Sequence, residues 1–383
     1  MDTSNIDLHK KIGILGGGQL GRMLQELALT YGVDLYFLDN DIKAPCSIFK
    51  DHFTHGSFRD FNATIQFGKD KEILSIEIEH INTDALEQLS KYNIEIIPSV
   101  ECIKMIKNKA LQKQFLKDNN IPSSPFEVIN FNTISAELAE AWYPFVQKSQ
   151  EDGYDGKGVV VIENSSELAN QLKLPSLIEK KVDIAKELAI TIAIEKSGKV
   201  HLYPISEMVF NPQLNLVDYL IAPAQIDEKI IKKVNSIATK LAKYLNTAGI
   251  FSIEFFLTKK GEVLVNEIAP RAHNSAHYTI EACNISQYEA QLRILLGIPI
   301  NEVKMKGYAG MVNLIGEENQ IGLPKVENLF ELSSLDDVHI HLYGKKETKP
   351  GRKMGHITVI NSNREKLIKQ LNWVRDNIKI KAK

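Results

Sequence analysis

The chain has few cysteines, no long apolar run and almost no net charge. Its three cysteines, Cys46, Cys102 and Cys283, lie far apart without C-x-x-C spacing, so neither a disulfide framework nor a zinc site is indicated. No apolar run approaches the ~18 residues that a membrane span requires, and the first residues lack a signal-peptide core. The formal net charge of −2 provides no field that would recruit nucleic acid or acidic lipid. We therefore expect a reduced, cytoplasmic protein that binds neither nucleic acid nor membrane.

The composition is that of an ordinary globular protein. The chain has 383 residues, of which 44% are hydrophobic and 25% charged, enough for about two or three domains. The first hundred residues alternate strands with helices, a pattern typical of a doubly wound parallel sheet. A helix over residues 101–117, an α+β stretch and a hairpin follow, and strands and a final helix end the chain. We predict α/β and α+β domains over residues 1–100, 101–298 and 299–383.

Two glutamates in the predicted hairpin form the most informative pair. Residues 251–258 and 262–268 are rich in β-branched and aromatic side chains, which is typical of strands. If Lys260-Gly261 is a two-residue turn, Glu254 faces Glu267 across the hairpin. Facing carboxylates repel each other, whereas Mg²⁺ accepts carboxylates together with substrate phosphates. The pair therefore predicts a metal–nucleotide site, with two solvated surface glutamates as the alternative.

The segment that follows Glu267 favours the site. Arg271, His273, Asn274 and His277 fall within seven residues, an unusual density of polar groups for a simple turn. Arginine can bind a planar carboxylate through two hydrogen bonds. His273 either orients a ligand or is a buried histidine with its own partners, and we favour the first interpretation.

A glycine-rich turn near the N-terminus suggests a different nucleotide site. Gly16-Gly17-Gly18-Gln19-Leu20-Gly21 satisfies G-x-G-x-x-G between a predicted strand and a predicted helix, and Asp39 ends the next strand. In dinucleotide-binding proteins such a turn holds a pyrophosphate at the helix N-terminus, so an NAD-dependent dehydrogenase is one hypothesis. The turn also has a purely structural use in any βαβ unit, and the rest of the chain predicts a better-specified site.

A second glycine-rich loop and two lysines support that other site. Residues 151–158 contain three glycines in six positions between two strands, and such a loop can donate backbone N–H groups to phosphates. Lys148 before it and Lys109 on the preceding helix would place cations around a triphosphate. The backbone of residues 177–182 could pair with adenine, and Glu187 could hold a ribose. The alternatives are a flexible loop, solvated lysines and an edge strand.

These pieces, in this order, resemble the ATP-grasp superfamily. Four segments are similar to the N5-carboxyaminoimidazole ribonucleotide synthase family of purine biosynthesis: residues 16–23 (GGGQLGRM), 153–158 (GYDGKG), 266–275 (NEIAPRAHNS) and 350–356 (PGRKMGH). The resemblance covers nearly the whole chain and implies an ATP-grasp fold with a lid subdomain at about residues 119–183. It implies that ATP phosphorylates bicarbonate to carboxyphosphate, which then carboxylates the amine of 5-aminoimidazole ribonucleotide. It also implies a homodimer.

The resemblance assigns roles to individual positions. For ATP it implies Lys109, Lys148, Gly153, Tyr154, Asp155, Gly156, Lys157, Gly158, Glu179, Lys180, Lys181, Val182, Glu187, Asn266 and Glu267. For the ribonucleotide it implies Gln19, Leu20, Glu77, Tyr154, Asp155, Lys346, Arg352 and Lys353. Catalytic roles go to Asp155, Arg271, His273, Asn274 and Lys353, and metal binding (Mg²⁺, or Mn²⁺ in its place) to Glu254 and Glu267. Glu179 and Val182 would contact adenine through backbone groups, and Asp155 is a candidate proton acceptor.

Two other readings of the resemblance remain open at this point. Another ATP-grasp ligase, such as a formate-dependent glycinamide ribonucleotide transformylase, would share the metal hairpin but should lack residues 350–356. A non-catalytic nucleotide-binding protein has no need of Lys109 and Lys148 together with both glutamates. The chain departs from the family pattern at Ala276, where glycine is usual, and at Lys349, where arginine is common.

Overall fold

The computed structural model describes residues 6–130, 133–151, 153, 158–211 and 216–383. Its first sheet is parallel and five-stranded, in the order β3-β2-β1-β4-β5. The strands are β1 (Ile12–Leu15), β2 (Leu35–Asp39), β3 (Phe53–His55), β4 (Ile73–Ile76) and β5 (Glu95–Ile96), and the helices between them are α1 (Gln19–Thr30), α2 (Phe61–Gly68) and α3 (Thr83–Ser90). Because β1 is central, the sheet is doubly wound, as predicted. The carboxyl ends of β1 and β4 lie side by side, which brings Gly16 and Glu77 together.

The helix predicted over residues 101–117 is wrong in one respect, because it is two helices. They are α4 (Val100–Lys107) and α5 (Lys109–Asp118). Asn108 between them has extended backbone angles, and its side chain accepts hydrogen bonds from the N–H groups of Ala110 and Leu111. This N-cap starts a new helix, and it makes Lys109 the first residue of α5.

A four-stranded antiparallel sheet follows, in the order β6-β9-β7-β8. It consists of β6 (Phe126–Ile129), β7 (Phe145–Ser149), β8 (Val159–Ile162) and β9 (Ser176–Lys180), with α6 (Ala136–Trp142) packed on it. Because β9 lies between β6 and β7, it is an internal strand. The edge-strand alternative for residues 177–182 is therefore wrong.

The largest sheet has nine strands. Its order is β15-β14-β10-β12-β13-β16-β19-β18, and β11 pairs with β10. Its strands are β10 (Ile184–Ile194), β11 (Val200–Leu202), β12 (Ser206–Asn211), β13 (Leu216–Ala222), β14 (Gly249–Thr258), β15 (Val263–Ala269), β16 (Tyr308–Ile315), β18 (Val338–Leu342) and β19 (Lys353–Asn361). Because β13 pairs with β16, this sheet continues across residues 298 and 299, where the third domain was predicted to begin.

The remaining elements surround this sheet. They are α7 (Glu228–Leu245), α8 (Thr279–Ala282), α9 (Gln287–Leu296) and α10 (Arg364–Asn377), with β17 (Pro324–Glu327) and β20 (Lys379–Ala382) as a two-stranded ribbon. Helix α9 is buried along most of its length, and its Leu292 and Leu295 share an apolar cluster with Ile14 of β1 and Leu24 of α1. No helix in the described ranges is long and apolar enough to cross a membrane.

The predicted pairing of Glu254 with Glu267 is confirmed, although the predicted two-residue turn is wrong. The N–H of Thr258 donates to the carbonyl of Glu262 at 2.9 Å, which leaves a three-residue loop in which Gly261 has a φ of +79°. On its own this loop would place Glu254 opposite Asn266. A bulge at Asn266 shifts the register by one residue and restores the glutamate pair, and bulges of this kind commonly re-aim side chains next to active sites.

Candidate active site

The two facing glutamates have different electrostatic surroundings. Burial raises the pKa of Glu254 to about 7, and the negative charges of Glu267 and Glu187 act in the same direction. Burial also opposes ionisation of Glu267, but the Lys109 ammonium, 2.5 Å from its Oε1, lowers the pKa of this carboxyl. Glu267 keeps 45% of its side chain exposed, so a cation can reach it. The pair therefore carries more negative charge than Lys109 compensates.

The donor set matches a hard divalent cation that also needs substrate oxygens. Two carboxylates face each other, and no group of three or more His, Cys, Asp or Glu side chains in the described ranges could hold a metal by itself. Mg²⁺ usually takes one or two carboxylates and completes its shell with phosphate and water. The residues present therefore fit Mg²⁺ bound together with a nucleotide.

A second group of charges lies beside this pair. The Nζ of Lys148 is 2.9 Å from Asn266 Oδ1 and 3.0 Å from Glu179 Oε1. Glu179 is 3% exposed, and its other oxygen lies 2.9 Å from Lys113 Nζ and accepts a hydrogen bond from Ser124. Burial opposes ionisation of Glu179, but Lys148 and Lys113 together lower its pKa to about 2. The network fixes the Lys148 ammonium next to the metal pair.

Two members of this network were missed from the sequence. Lys113 is also buried and lies four residues after Lys109 on the same helix, a spacing that puts both side chains on one face. That spacing could have identified it. The hydroxyl of Ser124 gives no comparable signal, because it reaches Glu179 across 55 residues of sequence.

The strand predicted to contact adenine has a role that was not predicted. The side chain of Glu179 binds the two lysines, and the N–H groups of Lys180 and Lys181 donate to the carbonyls of Pro125 and Pro144. The Lys180 ammonium contacts the Ala141 carbonyl, and that of Lys181 pairs with Glu163. The structure therefore does not bring the Lys180 and Lys181 side chains to the cleft. Glu187 does lie near it, and burial raises its pKa to about 7.

The segment after β15 brings a cation and a histidine to the other side of the pair. Arg271 Nε is 2.8 Å from Glu79 Oε1, and although burial works against its charge, Glu79 raises the pKa of Arg271. His273 Nδ1 is 2.9 Å from Ser275 Oγ, and its Nε2 lies 3.8 Å from Glu254 Oε1. The structure thus places Arg271 and His273 beside the glutamate pair. Glu79, which the sequence did not suggest, forms an ion pair with the guanidinium.

Asn274 has a different orientation from the predicted one. Its side-chain amide exchanges two hydrogen bonds with the amide of Asn313 on β16, at 2.8 and 3.1 Å. Asn313 also donates to the carbonyl of Val217. Asn274 therefore ties the segment to the middle of the large sheet, and its side chain is engaged there in this structure.

The glycine-rich turn at the N-terminus of α1 is filled by the protein itself. The Glu77 carboxylate accepts hydrogen bonds from the N–H groups of Gly18 and Gly21, and Asp39 accepts from Gly17 at 2.7 Å. Burial outweighs these bonds and raises the pKa of Glu77 to about 7. Two carboxylates occupy the place where a dinucleotide would put its pyrophosphate, so the dehydrogenase hypothesis is wrong.

The predicted ribonucleotide residues lie around this turn. Gln19 and Leu20 are the first residues of α1. A Cβ atom at Gly344 would collide with the Arg22 guanidinium of the same helix, so the loop that leads to Lys346 packs against α1. Lys353 begins β19. Burial lowers the pKa of His277, and the positive charges of Lys353 and Arg271 act in the same direction.

Arg352 and Gly158 are two further predicted site residues that the structure describes. The guanidinium of Arg352 donates to the carbonyl of Glu347 in its own loop, at 2.8 Å. Gly158 has a φ of +72°, and its carbonyl accepts from Ser149 at 2.8 Å. Tyr154, Asp155, Gly156 and Lys157 lie outside the described residues, so their roles remain predictions.

Three family models match the chain over most of its length. The ATP-grasp domain matches residues 114–288, the ribonucleotide synthetase preATP-grasp domain residues 9–107, and the phosphoribosylaminoimidazole carboxylase C-terminal domain residues 309–370. The chain is 37% identical over 380 residues to phosphoribosylaminoimidazole carboxylase of Ogataea methanolica, covering 95% of this chain and 68% of that relative. It is also 37% identical to N5-carboxyaminoimidazole ribonucleotide synthetase of Thermotoga maritima, with a TM-score of 0.90, covering 98% of this chain and 100% of that one.

The chain belongs to the N5-carboxyaminoimidazole ribonucleotide synthase family. Another solved structure of the family, from Aspergillus clavatus in complex with ADP and 5-aminoimidazole ribonucleotide, is 32% identical with a TM-score of 0.85, covering 96% of this chain and 99% of that one. Membership confirms the predicted ATP-grasp fold and the class of ATP-dependent ligase. The match over residues 309–370 includes the 350–356 segment, which favours the synthase over other ATP-grasp ligases.

Proposed function

We propose that this protein uses ATP and bicarbonate to carboxylate the exocyclic amine of 5-aminoimidazole ribonucleotide. The observation that carries the proposal is the Glu254–Glu267 pair with a lysine at either side, Lys109 on Glu267 and Lys148 on Asn266. This is the arrangement that a metal-bound triphosphate requires, because its charge must be met by fixed cations. The Aspergillus clavatus structure with ADP and the ribonucleotide supports the same pair of substrates here.

Glu254 and Glu267 would hold Mg²⁺, with Mn²⁺ as a possible substitute. Bound there with ATP, the metal would neutralise charge on the phosphates and favour transfer of the terminal phosphoryl group. Lys109 would then exchange its contact with Glu267 for one with phosphate oxygens. Lys148 needs no such exchange, because Glu179 holds it in place from behind.

Bicarbonate would be bound by Arg271 and His273. One of its oxygens attacks the γ-phosphorus of ATP, ADP leaves, and carboxyphosphate remains. The amine then attacks the carboxyl carbon, the C–O bond to phosphate breaks, and the amine loses a proton. Arginine suits a planar carboxylate, and Glu79 aligns it in advance. Carboxyphosphate is destroyed by water, so we propose that the 153–158 loop covers it, with Asp155 as the proton acceptor.

The ribonucleotide would lie between the glycine-rich turn and the C-terminal loop. Glu77 stands next to Gln19 and Leu20 on one side, and Lys346, Arg352 and Lys353 supply positive charge for a monophosphate on the other. The Arg22–Gly344 contact supports the proximity of these elements. We also propose a homodimer, as the family resemblance implies, and a cytoplasmic location, which the three free cysteines support.

The test is ADP release by the purified protein with Mg·ATP, measured with bicarbonate, 5-aminoimidazole ribonucleotide, both or neither. The proposal predicts strong stimulation only when both are present. Stimulation by glycinamide ribonucleotide and formate instead would assign a different ligase reaction. ATP binding without turnover under any of these conditions would indicate a non-catalytic protein, and Ala276 and Lys349 would be the first positions to restore.

A further inference from the structure

Two buried glutamines make the same unusual contact at the two ends of the catalytic segment, defined as residues 267–274. The amide oxygen of Gln112 accepts from the N–H of Ile268 at 2.9 Å, and its nitrogen donates to the carbonyl of Ile268 at 3.1 Å. The amide oxygen of Gln287 accepts from the N–H of His273 at 2.9 Å, and its nitrogen donates to the carbonyl of His273 at 2.9 Å. Each side chain binds both backbone groups of one residue, as a neighbouring strand would.

A primary amide is a side-chain group well suited to this contact. It has an acceptor oxygen and a nitrogen with two donors on one planar group, and the backbone partners fix which end is which. The second N–H of Gln112 donates to the carbonyl of Ile106 at 3.2 Å. That of Gln287 lies 3.0 Å from His277 Nδ1. Because the two side chains are only 3% and 0% exposed, water cannot replace either set of bonds.

Both glutamines are attached to rigid elements. Gln112 lies on α5, one turn after Lys109. Gln287 is the first residue of α9, and its own N–H is held by Thr279 Oγ1 at 3.0 Å. Strand β15 is at the edge of the large sheet, so among the described residues Ile268 has no further strand to bind on that side. Arg271 lies in the catalytic segment between the two residues that the glutamines bind. Helices α5 and α9, which carry the glutamines, therefore set the position of this segment.

We propose that Gln112 and Gln287 are positioning residues that hold the catalytic segment from both ends. Neither needs to touch a substrate. Gln112 fixes the backbone beside Glu267, and Gln287 fixes the backbone of His273, whose Nε2 lies 3.8 Å from Glu254. Since a displacement of about 1 Å at reacting groups can lower a rate about a hundredfold, this clamp matters for turnover. The kinetic part of the inference rests on the proposed function.

The test replaces each glutamine with methionine, which keeps the length and removes the amide. Gln25→Met is the matched control, because Gln25 is equally buried and its amide also binds backbone, at Leu35 and Val33, away from the catalytic segment. We expect Gln112→Met and Gln287→Met to lower kcat by about tenfold or more. Gln25→Met should stay within about twofold of wild type while losing similar thermal stability. Gln287→Met should leave the KM for ATP unchanged, whereas a general loss of structure would change this KM as well.

Hydrogen exchange gives a readout that does not depend on turnover. The N–H groups of Ile268 and His273 should exchange faster in Gln112→Met and Gln287→Met, respectively, than the loss of global stability explains. If methionine prevents folding at either position, Gln→Asn provides a second variant, which keeps the amide on a side chain one methylene too short to make both backbone contacts. Unchanged exchange at both amides, or kcat within about twofold of wild type in both variants, would overturn the clamp. A wild-type protein without ribonucleotide-dependent turnover would instead refute the proposed function, and exchange would still decide the clamp.

Discussion

Glu254 lies directly opposite Glu267, yet within the described ranges only Glu267 has a lysine within ion-pair distance, with Lys109 Nζ 2.5 Å from its Oε1. Lys109 lowers the pKa of Glu267, whereas burial raises that of Glu254 to about 7. Two facing carboxylates repel each other, which is unfavourable for the protein alone. The arrangement makes sense for a site that binds a divalent cation with a nucleotide.

Glu267→Gln should abolish most turnover without unfolding the protein. The change removes a charge that would bind the metal but no apolar contact, and the Glu254 carboxylate remains close to Lys109. We therefore expect ADP release to fall about a hundredfold or more with the melting temperature nearly unchanged. Glu262→Gln is the control, because Glu262 is an exposed glutamate at the loop of the same hairpin. If Glu267→Gln prevented folding, the metal assignment would be contradicted.

Glu179→Gln should cost stability in a pH-dependent way. In the folded wild-type protein the pKa of Glu179 is about 2, below the ordinary 4.5. The stabilising contribution of Glu179 is therefore present above pH 4.5 and is lost as the pH falls towards 2. At neutral pH the variant leaves Lys113 and Lys148 unpaired, and we expect a loss of about 3–5 kcal/mol in the free energy of unfolding.

Urea unfolding of wild type and Glu179→Gln at several pH values between 7 and 3 measures this difference. The difference in the free energy of unfolding between wild type and Glu179→Gln should shrink below pH 4.5. Glu163→Gln, which breaks the half-exposed pair with Lys181, should change little at any pH. A difference between wild type and Glu179→Gln that stays constant with pH would mean that the network does not hold Glu179 ionised.

Glu79→Gln should weaken bicarbonate use while leaving ATP binding unchanged. The carboxylate aligns the Arg271 guanidinium from 2.8 Å, and its loss lets the arginine adopt other orientations. We expect the KM for bicarbonate to rise and kcat to fall. Together these changes should lower kcat/KM about tenfold or more. Titration with a fluorescent ATP analogue provides the control, and a rise in its Kd as large as the loss of activity would contradict this role for Glu79.

Gly18→Ala should be destabilising only because Glu77 fills the turn. A Cβ atom there would lie 2.6 Å from Glu77 Oε1, and we expect a loss of about 1–3 kcal/mol in the free energy of unfolding. In a Glu77→Ala background the same substitution should cost much less. Equal costs in the two backgrounds, measured as a double-mutant cycle, would show that the carboxylate does not occupy the turn.

Much of the fold follows from local patterns in the sequence. The alternation of strands and helices predicts the doubly wound sheet, and the hairpin composition predicts strands β14 and β15. The glutamate pair was predicted from a two-residue turn that does not exist. The three-residue loop and the bulge at Asn266 cancel each other, so the correct pairing resulted from two compensating features.

The missed residues share a physical reason. Glu79, Asn313, Gln112 and Gln287 act through contacts between side chains and distant parts of the chain, and such contacts leave no period or spacing in the sequence. Gln112, for example, binds a residue 156 positions away. Asn108 is an intermediate case, because an asparagine before Lys109 is a plausible N-cap, although the surrounding helical pattern obscured it.

The most direct test of the account uses bicarbonate labelled with ¹⁸O. If bicarbonate attacks ATP and the amine then displaces phosphate, one bicarbonate oxygen must leave with the phosphate in each turnover. We therefore predict one ¹⁸O atom per phosphate released in the presence of 5-aminoimidazole ribonucleotide, as measured by mass spectrometry. Phosphate without label, formed at the same rate as ADP, would mean that water attacks ATP and would contradict the proposed reaction.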